Sequence, residues 1–211
     1  MTDTIVGGND APKPGRLVLL RHGQTAWSVS GQHTGRTDIP LTPAGEHQAI
    51  EAGVRLRESF PDGFAEGCVF ASPLRRARQT AALAGYGTHN VLPYIAEWDY
   101  GRAEGRTRGT VSQLLGRPWD LWRDGTESLP ATMDGERVET LPGGAQVTVR
   151  NGRGETLDEV AARTTVAIRE VLPLIEEGHD VLLVAHAHVL RILTTQWLGM
   201  DPLTAKLLRL D

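Results

Sequence analysis

The stretch Leu17-Val18-Leu19-Leu20-Arg21-His22-Gly23-Gln24-Thr25 decides the fold. Its four consecutive apolar residues, bounded upstream by Gly15, predict a strand buried on both faces, the kind found at the centre of a parallel sheet. The run ends abruptly in a cation, an imidazole and a glycine. Ligands of open α/β sheets sit just beyond the carboxyl ends of the strands, so this is where a ligand is met. Arg21 offers a planar fork of donors suited to phosphate or carboxylate. His22 offers a nitrogen that is neutral and nucleophilic near pH 7. Gly23 lets the chain turn sharply and brings backbone close to the ligand. The same residues also fit a plain strand end with one satisfied histidine and one surface arginine.

A second fully apolar run, Val181-Leu182-Leu183-Val184-Ala185, ends in His186-Ala187-His188. His186 mirrors His22 on the first strand and is the second candidate. Two histidines at i and i+2 can ligate a metal, but no Cys or carboxylate cluster completes a site, and His188 is read as structural. Residues 68–71 and 90–95 predict two more strands, the latter delivering Glu97, whose carboxylate could simply pair with an arginine. Thr42-Pro43 starts a helix running to about Ser59. Ser72-Pro73 starts another, with Arg75, Arg76 and Arg78 crowding its first two turns. Thr156-x-x-Glu159 is a capping box opening a long helix that Pro173 should kink or break. Val189 to Leu198 reads as a helix, and a short one after Pro202 fits the pattern. Strands alternating with helices predict one three-layer α/β/α sandwich with a mostly parallel central sheet.

Residues 21–40 form a loop long enough to be functional. Trp27 either packs it down, or Ser28 and Thr34 turn hydroxyls toward a ligand. Residues 107–123 read as short helices, with Trp119 and Trp122 as core packing. Farther on, 137–141 and 146–149 alternate around Pro142-Gly143-Gly144-Ala145 and predict a β-hairpin, at the pocket mouth or facing solvent. The organisation expected is a flexible tail over 1–15 and a single domain over 16–211 with an inserted segment at about 124–153.

The 211 residues carry a net charge of −4, ordinary for a soluble globular protein. Basic residues are scattered and nearly all Arg, so neither nucleic acid nor a membrane surface is an expected partner. No apolar run approaches a bilayer span, and the N-terminus lacks a signal-peptide core. The single Cys68, in an apolar strand-like run, reads as a buried structural thiol and fits a cytoplasmic location.

Five segments in order carry a resemblance: Arg21 to Ser28 with Thr34 to Thr42, then Ser72-Pro73-Leu74-Arg75-Arg76-Ala77-Arg78-Gln79-Thr80-Ala81, Glu97-Trp98-Asp99-Tyr100-Gly101, Gly154-Glu155-Thr156-Leu157, and Val184-Ala185-His186. Across roughly residues 16 to 200 the chain resembles the histidine phosphatase superfamily, in its phosphoglycerate-mutase-like branch. The resemblance implies that His22 is the nucleophile, forming a phosphohistidine, and that Glu97 protonates the leaving oxygen. It gives His186 the charge-stabilising role, as an imidazolium, and places Arg21 and Arg76 on the phosphate and Ser28 and Thr34 on the substrate. Ser28 stands where members often have Asn, and Ala187 where they usually have Gly. No metal or cofactor is implied; the partner is a small phosphorylated substrate, and a homodimer is compatible. Members commonly continue past the position of Asp211 with another strand and a tail, so a naturally short chain or a missing last segment both fit. The expected activity is phosphomonoester hydrolysis of a small metabolite, sugar phosphates included. A phosphoglycerate-mutase-type phosphomutase is the alternative, and a non-catalytic phospho-ligand binder a more distant one.

Overall fold

The computed structural model describes residues 13–210. The expected tail lies outside the described residues up to position 12. Its last residue is anchored rather than loose: the Gly15 N–H donates to the Ile175 carbonyl at 2.8 Å. A Cβ there would meet the His179 carbonyl oxygen at 2.0 Å, so only glycine fits.

The strands in chain order are β1 (Leu17–Arg21), β2 (Val69–Ala71), β3 (Asn90–Val91), β4 (Gly135–Thr140), β5 (Gln146–Asn151) and β6 (Val181–Ala185). The helices are α1 (Ala26–Ser30), α2 (Pro43–Ser59), α3 (Arg75–Leu83), α4 (Arg108–Leu115), α5 (Leu121–Asp124), α6 (Leu157–Glu176) and α7 (Ala187–Trp197). A four-stranded parallel sheet runs in the order β1-β6-β2-β3. Alternation along the strands makes the three layers. Leu17 and Leu19 of β1, with Val181 and Leu183 of β6, pack against Val171, Ile175 and Val189 of α6 and α7. Val18 and Leu20, with Leu182 and Val184, pack on the other face against Leu56, Ala77 and Ala81 of α2 and α3. Leu182 and Leu183 are fully buried, each worth roughly 1.5–3 kcal/mol relative to exposure.

β1 does not occupy the centre of the sheet. It pairs only with β6 among the described residues, and all five of its positions are half-buried. The uninterrupted apolar run is explained by helices on both faces, which says nothing about how many strands flank it. β6, buried at every position, is the central strand.

The predicted strand at 90–95 shrinks to Asn90–Val91, because Pro93 has no N–H for a ladder and opens a 3₁₀ turn over Pro93–Ile95. Pro173 does not end its helix: α6 continues to Glu176, the lost N–H falling near the helix end. Thr42, with Pro43 at N1, caps α2 by accepting from the Gly45 N–H. Thr156 and Glu159 form the capping box of α6. A short 3₁₀ helix covers Pro202–Leu207. No described helix is long and apolar enough to cross a membrane.

The hairpin forms as β4 and β5, registered from Gly135 against Asn151 to Thr140 against Gln146. It is no solvent-facing ornament. Val149 and Leu141 are buried with Trp27 and Ile39, so the hairpin holds the 21–40 loop down. Asn151 donates from Nδ2 to the Gly101 and Glu104 carbonyls, both at 3.0 Å.

Candidate active site

β1 ends by handing the chain to His22, whose N–H still donates to the Ala185 carbonyl of β6 at 2.9 Å. The ring is oriented by its own neighbour. Nδ1 lies 2.7 Å from the Gly23 carbonyl oxygen. A carbonyl only accepts, so Nδ1 carries the hydrogen and Nε2 keeps a free lone pair. Burial, and then the charges of Arg76 and Arg21, push the His22 pKa down to about 3, so the ring is neutral at physiological pH. Gly23 serves a contact rather than a turn: a Cβ there would meet the Gly45 carbonyl oxygen at 2.2 Å, where α2 starts.

His186 is the residue before α7, completely buried, with its ring centroid 5.0 Å from that of His22. Nδ1 accepts from Arg76 Nε at 3.1 Å, and Nε2 is 2.7 Å from Ser72 Oγ. An arginine N–H can only donate, so Nδ1 is bare and Nε2–H donates to the serine. The expected imidazolium is therefore replaced by a neutral imidazole. Burial and the Arg76 charge hold its pKa well below the ordinary histidine range. Ala187 sits comfortably in the usual glycine position, since no described non-glycine residue has a positive φ.

Arg76 is fully buried, and its guanidinium is largely committed to the protein. Besides His186, Nη1 donates to the Thr37 carbonyl at 3.1 Å, and Nη2 to the Thr34 and Gly35 carbonyls at 2.9 and 3.0 Å. With about five N–H donors per guanidinium, one on Nη1 is left without an acceptor among these contacts. Glu104 holds the same loop from the other side, accepting from the Gly35 and Thr37 N–H groups at 2.9 Å each. Burial pushes the Glu104 carboxyl up, opposed by these bonds and by the Arg76 charge. The two buried charges clamp residues 34–37 between them, one taking carbonyls and the other N–H groups.

Glu97 does not follow a regular strand but is tied to α7. Its Oε1 accepts from the Trp98 and Val189 N–H groups, both at 2.9 Å, and its Oε2 from that of His188 at 3.2 Å. Arg163 of α6 fixes the backbone around it, donating to the Tyr94, Ala96 and Glu97 carbonyls at 2.8, 2.7 and 3.1 Å. Glu155 in turn holds Arg163 at 2.8 Å and the Asp99 N–H at 2.9 Å.

Arg21 keeps free donors. Its Nη1 reaches the Leu210 carbonyl at 3.3 Å, while its Nε is buried without a partner. A cavity of about 520 Å³ opens here, bounded by Arg21, His22, Gln24 and Ser28 and by Gln48 and Ala52 of α2. Arg76, Glu97 and His186 do not line it. Ser28 lines the cavity, but its hydroxyl is engaged in the capping box of α1, donating to the Thr25 carbonyl at 2.9 Å. Thr34 is outside it, and its hydroxyl donates to the Gln32 carbonyl at 3.0 Å. Among the described residues, no group of three or more His, Cys, Asp or Glu side chains is placed to hold a metal.

Sequence reasoning did not assign Ser72 or Arg163 to the site. Ser72 carried a signal, standing at the end of β2 as His22 does after β1; Arg163 sits mid-helix, where an arginine reads as solvated surface. The neutral histidines lead to a testable pH dependence. An unfolded histidine titrates near ~6.5, whereas His22 titrates at about 3 in the fold. Between those values the unfolded chain binds more protons, so stability is full above pH ~6.5 and falls as pH drops toward 3. Urea midpoints should decline from pH 7 to pH 5, less steeply in His186→Asn; a flat profile would contradict the neutral pair.

The sequence profile of the histidine phosphatase superfamily (branch 1) matches residues 17–143 and 143–211. An acid phosphatase of Mycobacterium tuberculosis is 36% identical over 88% of this chain and 76% of its own length. A sedoheptulose 1,7-bisphosphatase of Saccharomyces cerevisiae is 33% identical over 88% of this chain and 68% of its own. A 2,3-bisphosphoglycerate-dependent phosphoglycerate mutase of Corynebacterium efficiens is 32% identical over 85% and 74%.

Proposed function

The chain belongs to the histidine phosphatase superfamily, and from that membership we propose that it is a phosphomonoesterase working through a phosphohistidine on His22. The observation that carries this reading is the His22 tautomer: Nδ1 is spent on the Gly23 carbonyl, which leaves a neutral Nε2 with its lone pair free on a residue that lines the cavity, next to Arg21 with its orphaned Nε. Nε2 attacks phosphorus in line as the ester P–O bond breaks, and Glu97 gives its proton to the departing alkoxide. Water, giving a proton to Glu97, then attacks phosphorus as the P–N bond breaks and returns its electron pair to Nε2, and inorganic phosphate leaves. Arg21 and the remaining Nη1–H of Arg76 meet the charge on the equatorial oxygens, and His186 holds Arg76 in place. This assigns Ser28 and Thr34 to shaping the loop more than to gripping substrate, since both hydroxyls serve the backbone.

The mutase reading keeps the same residues and differs in shielding the phosphohistidine from water. His22 lines a cavity of about 520 Å³, which leaves room for water beside the phosphohistidine and favours hydrolysis. The test is release of inorganic phosphate from p-nitrophenyl phosphate, with and without chelator, beside an assay for isomerised product with a bisphosphorylated cofactor. Release that persists in chelator supports the phosphatase; isomerisation without release supports the mutase; neither supports a binder.

Glu97→Gln separates the acid from the scaffold. Esters with poor alkyl leaving groups should slow by about 10²–10⁴-fold, the range of general acid catalysis, and aryl phosphates far less, because a phenoxide leaves with little help. Equal losses on both would make Glu97 the tie to α7 and nothing more.

A further inference from the structure

Of the five segments that carry the resemblance, Gly154-Glu155-Thr156-Leu157 alone supplies no residue to the proposed chemistry. It lies instead against the stretch that follows Glu97. Gly154, at φ +76°, and Gly101, at φ +52°, meet backbone to backbone. A Cβ on Gly154 would touch the Asp99 carbonyl oxygen at 2.7 Å, and one on Gly101 the Gly154 nitrogen at 2.4 Å. Glu155 serves the same stretch with its backbone and its side chain. Its N–H donates to the Asp99 carbonyl at 2.9 Å, its carbonyl accepts from Trp98 Nε1 at 2.7 Å, and its Oε2 accepts from the Asp99 N–H at 2.9 Å.

The Glu155 carboxylate also fixes Arg163, accepting from Nε at 2.8 Å and from Nη2 at 3.0 Å. The remaining Arg163 bonds go to the Tyr94 and Ala96 carbonyls from Nη1 and to the Glu97 carbonyl from Nη2. A guanidinium has about five N–H donors, so Arg163 keeps none for a substrate. Its side chain is 14% exposed and that of Glu155 18%, so solvent screens the pair little. The Glu97 carboxylate, for its part, is tied to the first turn of α7 by the His188 and Val189 N–H groups. Residues 94–97 thus bridge two helices, with their carbonyls on α6 and the carboxylate on α7.

We infer that Arg163 and Glu155 are positioning residues for the acid step: Glu155 aims Arg163, and Arg163 sets where the Glu97 carboxyl stands. The inference rests on the phosphomonoesterase reading with Glu97 as the acid. A general acid works only within hydrogen-bond reach of the departing oxygen, and a displacement of about 1 Å can cost about 10²-fold. Arg36 lies 3.4 Å from Glu155 Oε2, so the same carboxylate joins the acid's segment to the loop that Arg76 holds.

The test measures kcat/KM on glycerol 1-phosphate and p-nitrophenyl phosphate for wild type, Arg163→Met, Glu155→Gln, Glu97→Gln and the double variant Arg163→Met with Glu97→Gln. Arg163→Met should slow the alkyl ester by about 10²-fold and the aryl ester far less. Glu155→Gln, which keeps the shape and one acceptor, should show a smaller loss with the same selectivity. In the Glu97→Gln background, Arg163→Met should slow the alkyl ester by no more than about twofold further, because the acid that it aims is gone. Equal losses on the two esters in both single variants, a full further loss in the double variant, or failure of both single variants to fold in urea titrations would overturn the inference and leave the network as scaffold. Equal losses in Glu97→Gln would overturn the acid assignment instead, and no phosphate release from either ester in wild type the phosphatase reading.

Discussion

His22→Ala is expected to abolish both turnover and the covalent intermediate. Acid-quenched protein mixed with excess substrate should show a phosphate adduct on the His22 peptide in wild type and none in the variant. The rate should fall by at least about 10⁴-fold, as when the nucleophile of a covalent mechanism is lost. No neighbour can take over. His186 is 5.0 Å away between ring centroids, but both its nitrogens are engaged, by Arg76 and Ser72. His188 has its Nδ1 on the Tyr100 hydroxyl. An adduct on His186 in wild type, or one surviving in His22→Ala, would reverse the assignment of the two histidines.

Arg76→Ala should be the most damaging substitution for the fold. It strands the Thr34, Gly35 and Thr37 carbonyls, bares His186 Nδ1 and leaves Glu104, 2% exposed, without its countercharge. Removing one partner of a buried charged cluster costs about 3–5 kcal/mol, a large share of a typical ~5–15 kcal/mol total. Urea unfolding should show this loss, and aryl phosphatase activity should fall with it. Arg76→Lys should recover little, because one ammonium cannot reach three carbonyls and an imidazole. Arg76→Ala with Glu104→Gln should be more stable than Arg76→Ala alone, since the stranded charge is gone. A single variant within about 1 kcal/mol of wild type would mean that the loop is held without the clamp.

Much of the layer structure was legible because it depends on faces. The apolar runs ending at Arg21 and Ala185, the Thr42-Pro43 start and the Thr156 capping box all report local periodicity or local hydrogen bonds. The position of β1 at the sheet edge was not legible, because a strand's composition records what covers its faces and not what pairs with its sides. The resemblance placed Arg76 on the phosphate, but its bonds to the 34–37 loop link positions about 40 apart, with no local signature. The protonation of His186 hinges on one contact with Arg76 Nε, which no sequence pattern displays.

The pairing of β1 with β6 has a consequence for assembly in time. Arg16 and Asp180, which bond at the start of this ladder, are 164 positions apart. His22 is made long before the strand that seats it and the His186 beside it. Until residues 181–185 exist, β1 has no ladder partner and the His22 loop has no fixed floor. Closing so long a loop carries an entropic cost and slows folding. Competence for chemistry therefore arrives in the last stage of folding, and refolding kinetics followed by activity should lag behind the formation of helical signal from α2 and α6.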